Sequence, residues 1–222
     1  MRVLGLDTAT LHASVAVVGD EGVIATGEHV ASPTASAKSG GRTSDVLGTI
    51  DAVCRAAGVA PAALDAIAIG AGPGSFTGLR IGMATAKGIA FAAGKPLWAV
   101  SSLAALAHGR PGRVAAVLDA RRGEVFAGLY EDGVLVGDER VIAPTALPEA
   151  DAYVGDALAA YPVLAHLAAR WTHATPTGAA VAQRALAGAR VDVLVGGVPT
   201  YIRASEAEIR YPDGIPGALR KP

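Results

Sequence analysis

RVLGLDTATLHASVAVVGDEGVIATGEHV, Arg2 to Val30, has a counterpart in RVAAVLDARRGEVFAGLYEDGVLVGDERV, Arg113 to Val141. Both open on Arg-Val, run through apolar residues to Leu-Asp, continue as an alternating segment, turn on Gly and Asp, and finish with a third apolar segment. A one-residue insertion ahead of the aspartate sets Leu6-Asp7 against Leu118-Asp119. Period-two alternation broken by Gly/Asp turns is the pattern of a β-meander. Each copy therefore predicts three strands, with Ser14–Val18 and Val125–Tyr130 central and tight turns at Gly19–Gly22 and Glu131–Gly133. The matched order of Leu-Asp, turn and third strand points to an internal duplication rather than to two unrelated meanders.

Helical periodicity fills the space around the copies. Ser44–Ala57 sets Val46, Leu47, Ile50, Val53, Cys54 and Ala57 on one face, with Ser44 as cap, Asp45 suited to the dipole and Gly58 as stop. Asp65–Gly70 predicts a short buried strand, Phe76–Ala93 a helix and Leu97–Val100 another strand. After the second meander come a strand at Tyr153–Gly155 and helical stretches near Ala157–Arg170 and Ala179–Ala187. The small-residue run SPTASAKSGG, Ser32–Gly41, reads as a mobile loop. Two βββαβα-type units in one chain predict an α/β, duplicated ribonuclease-H-like fold. Its lobes are expected at residues 1–101 and 102–222, with the C-terminal segment able to pack back on the first lobe. Actin, sugar kinases and acetate kinase share that architecture, so the fold alone leaves function open.

Composition narrows the classes. Of 222 residues, 51% are apolar and 18% charged, a core-forming balance, and the formal net charge of -1 gives no global basic excess for gripping a phosphate backbone. Cys54 is the single cysteine, which excludes an internal disulfide and a thiol-rich metal site. The apolar start reaches Asp7 too soon for a secretory signal, and the long uncharged stretches are interrupted by Pro, Gly or polar residues. A cytosolic protein without membrane spans is expected.

The stretch GAGPGSFTGLRIGMATAKGIAFA, Gly70–Ala92, carries the most information. Pro73-Gly74 forces a turn, and Ser75 is placed to cap the helix that follows. Inside that helix Gly78, Gly82, Ala86 and Ala90 recur every four residues, a stripe with almost no side chain. Each helical glycine costs about 1 kcal/mol relative to alanine, so the stripe needs a packing reason. Two reasons stand at this point: close approach to the protein's own sheet or first helix, or to a partner's helix.

With MRVLGLDTAT at the start, GPGSFTGLRIG in the middle, LDARRGEVFAGLY in the second repeat and VPTYIR near the end, the chain resembles the TsaB family, also called YeaZ, over essentially its whole length. The GPGSFTGLRIG block is the specific part and the others are supportive. The resemblance implies the actin-like ATPase superfamily. It also implies a non-catalytic subunit of the machine that installs threonylcarbamoyl-adenosine beside the tRNA anticodon. In that family the catalytic paralogue TsaD and the ATPase TsaE are partners, a homodimer is the alternative state of the lone subunit, and tRNA is met through the complex. The N-terminal-domain helices pair with those of TsaD or of a second copy. Carried onto this sequence, the interface would comprise Val46, Leu47, Ile50, Cys54, Phe76, Thr77, Gly78, Arg80, Ile81, Gly82, Thr85 and Ala86. The resemblance thus shifts the Gly/Ala stripe toward a subunit interface, where Gly82→Glu would break association and spare the fold. One departure from the family pattern lies at Gly41-Arg42-Thr43-Ser44-Asp45, where many relatives carry a His-Ser/Thr-Glu/Gln-like entry to the first helix.

What the sequence lacks is equally informative. The five histidines, His12, His29, His108, His166 and His173, include no pair four apart, so no helix presents two imidazoles to one metal ion and no metal site is expected. Actin-like kinases bring backbone N–H groups to nucleotide phosphates with a glycine-bearing hairpin, whereas Asp7–His12 has no glycine. Asp7, Thr8 and Thr10, with Asp119 at the matching corner, mark a vestigial nucleotide site on one reading and a locally satisfied hairpin on the other. Arg121 and Arg122 beside Asp119 face the same choice between a phosphate or acidic surface and solvent. Gly-Pro-Gly-Ser-Phe-Thr-Gly is not a nucleophile elbow, and no His/Asp partner can be assigned to Ser75. No cofactor is expected, with nucleotide, if used, at the partner interface. A small-molecule kinase or ATPase is the competing function.

Overall fold

The computed structural model describes residues 1–30 and 46–203. The Ser32–Gly41 loop and the Ser44 cap with Asp45 therefore lie outside the described residues. The first copy forms β1 (Arg2–Asp7), β2 (His12–Gly19) and β3 (Gly22–Val30), and the second forms β6 (Arg113–Asp119), β7 (Val125–Glu131) and β8 (Val134–Ile142). Between them run α1 (Val46–Ala56), β4 (Ala66–Gly70), α2 (Phe76–Ala93), β5 (Leu97–Val100) and a short α3 (Ser102–Ala107). After β8 come β9 (Ala152–Val154), β10 (Trp171–Thr172), α4 (Gly178–Leu186) and β11 (Val191–Asp192).

The duplication is explicit in strand order. The first sheet runs β11-β5-β4-β1-β2-β3 and the second β10-β9-β6-β7-β8, so each contains a third-second-first-fourth-fifth order. In both, the meander is antiparallel and the later strands add parallel to its first strand. This is a duplicated ribonuclease-H-like fold. Asp7 pairs with Ser14 and Asp119 with Val125, so both aspartates end their first strands at the same edge. In the second copy the turn is Asp132-Gly133, both at positive φ (49° and 81°), the backbone that a two-residue hairpin loop requires.

Each face of the first sheet has its own cover. Leu4, Leu6, Val15 and Val17 pack on one side with Ile50, Cys54, Met83 and Ala86 of α1 and α2. Val3, Ala16, Val18, Ala66 and Ala68 pack on the other with Val181, Ala182 and Ala185 of α4. The C-terminal helix therefore completes the first sheet's core, and β11 adds to that sheet's edge beside β5. Close approach makes this possible: a Cβ on Gly5 would collide with the Gly178 carbonyl, and Gly178 N–H donates to Ser14 Oγ at 3.1 Å. The short α3 sits between the sheets, placing Ala105 in the first core and Leu103 and Leu106 in the second.

Two local expectations change. The stretch 157–170 is not an α-helix but two 3-10 segments, Ala157–Ala159 and Pro162–Arg170. Pro162 interrupts the run, because it has no N–H for a helical bond. Leu47 is 61% exposed and leaves the buried face that Val46, Ile50, Val53 and Cys54 share, one turn position too far round the helix. Among the described residues no helix is long and apolar enough to cross a membrane.

Candidate functional site

Asp7 ends β1 with its side chain wholly buried. Its Oδ1 accepts from Ala9 N–H at 2.8 Å and its Oδ2 from Ser102 Oγ at 2.7 Å, while Ser102 Oγ accepts in turn from Gly72 N–H at 3.3 Å. Burial is the main influence on the carboxyl and pushes it up to about 6, against the two hydrogen bonds that pull it down. A Cβ on Gly70 would overlap the carboxylate, so the group has no room for a further ligand on that side. Thr8 Oγ1 donates to Gly78 O at 2.8 Å, and Thr10 Oγ1 exchanges hydrogen bonds with the His12 backbone. The hairpin polar groups are thus satisfied within the chain, by the hairpin backbone, by Ser102 and by the Gly78 carbonyl of α2.

The glycines of α2 explain that closure. Cβ atoms on Gly74, Gly78 and Gly82 would collide with Ala9, with the Thr8 carbonyl and with Thr8 Oγ1 respectively. Ser75 N–H donates to Ala9 O at 2.7 Å, and Ser75 Oγ caps the helix by accepting from Gly78 N–H at 3.3 Å. The small-residue stripe therefore lets α2 lie directly on the β1–β2 hairpin. This corrects the expectation that the stripe faces a partner: Gly82 and Ala86, like Val46, Ile50 and Cys54, are buried in this chain's own core. The physical reason is that β1–β2 needs the same close backbone approach that a partner helix would. Burial also pushes the Cys54 thiol up, with help from Asp51, which makes it an inert apolar filler.

Other members of the expected interface lie elsewhere. Leu47 is exposed on the outer face of α1, and Ile81 and Thr85 are half-buried on α2. Phe76, Thr77 and Arg80 face a cleft between the lobes instead. Phe91, 82% exposed near the end of α2, was not singled out in the sequence although it lies within the quoted glycine-rich stretch. Its signal was an aromatic one helical position off the buried Ala90.

The interlobe cleft encloses about 900 Å³. One wall is the Thr10–His12 segment and the first turns of α2. There Arg80 lies over the Phe76 ring at 4.0 Å, its Nε donates to Tyr201 OH at 3.1 Å, and the two rings are 5.3 Å apart. The opposite wall is the corner Asp119–Gly123. Arg121 and Arg122 stand there at φ 63° and 58°, left-handed values that cost a non-glycine residue about 1–2 kcal/mol each. Asp119 accepts from Arg121 N–H at 2.7 Å and from Tyr161 OH at 2.7 Å, and pairs with the Arg121 guanidinium at 3.1 Å. Burial pushes the neighbouring Asp156 carboxyl up as its Oδ1 accepts from Asp119 N–H at 2.9 Å. The VPTYIR segment closes the cleft from the side: Thr200 N–H donates to Ala71 O at 2.7 Å in the first lobe, and Arg203 pairs with Glu124 in the second. Ser102 and Tyr161 had no site signal in the sequence, because their roles depend on partners 95 and 37 residues away. Among the described residues no group of three or more His, Cys, Asp and Glu is placed to hold a metal ion.

Residues 42–213 match the family model for tRNA N6-adenosine threonylcarbamoyltransferase, TsaD. The tRNA threonylcarbamoyladenosine biosynthesis protein TsaB of Escherichia coli is 37% identical over 147 residues, 63% of this chain and 60% of that protein. A solved Pseudomonas aeruginosa protein described as similar to peptidase YeaZ superposes with a TM-score of 0.73 at 30% identity, covering 91% of this chain and 99% of that one. YeaZ from the same organism gives 0.72 at 29%, covering 90% and 99%.

Proposed function

The chain belongs to the TsaB (YeaZ) family, and on that premise we propose that it works in threonylcarbamoyladenosine biosynthesis in tRNA as a non-catalytic scaffold subunit. The observation that supports the scaffold reading is the inward-turned Asp7 at a hairpin without glycine. Where kinases of this architecture bring backbone N–H groups to phosphates, α2 lies on the Thr8–Ala9 backbone through Gly74, Gly78 and Gly82, and Asp7 is turned onto Ser102. A group with no open face cannot hold magnesium or activate a nucleophile.

Scaffolding needs a surface, and the outer face of α1 and α2 supplies it. Leu47 of α1 and Ala84, Gly88 and Phe91 of α2 are exposed there. Exposed apolar and small residues on these helices suit a helix pair of TsaD, or of a second copy when this chain is alone. TsaE is the further partner, nucleotide belongs to the partner interface, tRNA is met within the complex, and the compartment is the cytosol.

The test is reconstitution. The chain alone, given tRNA, threonylcarbamoyl-adenylate and metal, is expected to form no product, and addition of TsaD and TsaE is expected to restore it. Robust product from the chain alone would overturn the scaffold reading. Calorimetry with ATP and magnesium is expected to find no site near micromolar affinity, about -8 kcal/mol. Such a site, abolished by Asp7→Ala, would favour a small-molecule kinase or ATPase instead.

A further inference from the structure

The interlobe cleft has a chemistry that the scaffold role does not use. Its first wall presents a cluster in which the Arg80 guanidinium carbon lies 4.0 Å from the Phe76 ring centroid and the Tyr201 ring sits 5.3 Å from Phe76, tilted by 35°. Phe76 and Tyr201 remain 42% and 40% exposed, so the cluster is built but not covered. Guanidinium planes and aromatic faces arranged in this way stack unpaired bases with little sequence preference. The opposite wall holds two successive arginines on a left-handed turn that ordinary residues avoid. That turn is pinned from several sides: Ala120 N–H donates to Glu124 O at 3.1 Å, Glu124 N–H to Arg121 O at 3.1 Å, and Arg203 Nη2 to Arg121 O at 3.4 Å. Backbone held against its preference by surrounding bonds is a mark of a positioned functional segment. Here it aims cationic side chains into the cleft.

We propose that the interlobe cleft binds a single-stranded segment of RNA, with a base on the Arg80–Phe76–Tyr201 cluster and backbone phosphate at the Arg121–Arg122 turn. The proposal rests on the reading above that this chain works on tRNA. A free nucleoside triphosphate fits less well, for a reason internal to the site. Polyphosphate chelates magnesium and needs a carboxylate with an open face, but Asp7 is buried behind the hairpin and Asp119 is committed to Arg121 and Tyr161. Single phosphates along an RNA strand need cations and hydroxyls only, and Ser75, Thr77 and Thr175 line the same cleft. A duplex is excluded by size, because about 900 Å³ accommodates one or two unstacked nucleotides rather than a helix. The formal net charge of -1 gives no global basic excess, so RNA contact would depend on local cations such as these.

Fluorescence anisotropy with a labelled, unstructured single-stranded RNA tests this on the full chain, alone and with TsaD. Unlabelled RNA duplex and ATP serve as competitors. Binding tighter than about 100 μM that weakens with salt is expected, because displaced counterions set the affinity. The labelled strand should be displaced by unlabelled single strand and not by duplex or ATP. Phe76→Ala should weaken it about tenfold by removing the stack. Arg122→Gly, whose glycine adopts the left-handed φ freely, should weaken it and reduce its salt dependence, with a cooperative thermal transition recorded on the same sample to exclude a folding defect. No binding at about 100 μM in either sample overturns the proposal, as does binding that both variants leave unchanged or that ATP abolishes. A chain that fails these tests yet restores threonylcarbamoylation with TsaD and TsaE would leave the scaffold reading standing.

Discussion

At Asp7 a carboxyl sits with no exposure to water, and its position costs stability that an amide would not. Its folded value of about 6 lies above the ordinary 3.8, so between those two pH values the folded chain binds the extra proton. The contribution of this group is therefore fully present below pH 3.8 and lost as pH rises through 6, a difference of about 3 kcal/mol. Asp7→Asn can keep the Ala9 N–H bond and donate to Ser102 Oγ. It is expected to raise unfolding free energy at pH 7.5 by up to about 3 kcal/mol and to flatten the slope between pH 4 and 6 in denaturant titrations. An unchanged slope would mean that the carboxyl is not titrating in this range. Gly82 poses the opposite problem. A glutamate there would collide with Thr8 Oγ1 and bury an unpaired carboxylate, a penalty of several kcal/mol that falls on folding rather than on association. Gly82→Glu is expected to be insoluble or to lose cooperative unfolding, and a well-folded monomer would contradict the packing of α2 on the hairpin.

Among the elements, α2 carries two faces with separate duties. Its inner face, through Gly78, Gly82 and Ala86, packs on the hairpin, and its outer face ends in exposed Phe91. Phe91→Glu is expected to abolish co-purification with TsaD, or self-association of the lone chain, while the unfolding midpoint at matched monomer state stays within about 0.5 kcal/mol of the parent. Retained assembly would place the partner on another surface. The contrast with Gly82→Glu separates the two faces in two mutants. α4 shows how a helix late in the chain becomes essential to a sheet formed early. Gly5 and Gly178 touch backbone to backbone beneath it, and Val181, Ala182 and Ala185 complete that core. Gly5→Ala would place its Cβ against the Gly178 carbonyl, and overpacking of this kind costs about 1–3 kcal/mol or more. Chemical denaturation should show that loss in one transition, because α4 packs in the first sheet's core and α3 contributes to both cores.

Across the whole molecule the 200–203 segment ties the lobes over the cleft, with Thr200 bonded to Ala71 and Arg203 to Glu124. The Arg203–Glu124 pair is partly exposed, so Arg203→Ala is expected to cost no more than about 1 kcal/mol of global stability. Hydrogen exchange at residues 120–124 should nonetheless speed up as the left-handed turn loses its outer bond, and unaltered exchange would show the turn to be self-supporting. The amino-acid sequence by itself determined the duplication, because Leu-Asp, the Gly/Asp turn and period-two alternation are local patterns that each copy repeats. It also determined α2 from Phe76 to Ala93 with its Ser75 cap, since capping needs only near neighbours. Which way the glycine stripe faces was decided only by tertiary structure. A bare helix face suits any close-packed neighbour, and sequence periodicity cannot distinguish Thr8 of the same chain from a residue of another. The destination of α4 and the clasp of Tyr201 and Arg203 were likewise beyond local pattern. They rest on contacts between residues separated by more than 75 positions, where long-range packing rather than propensity chooses the partner.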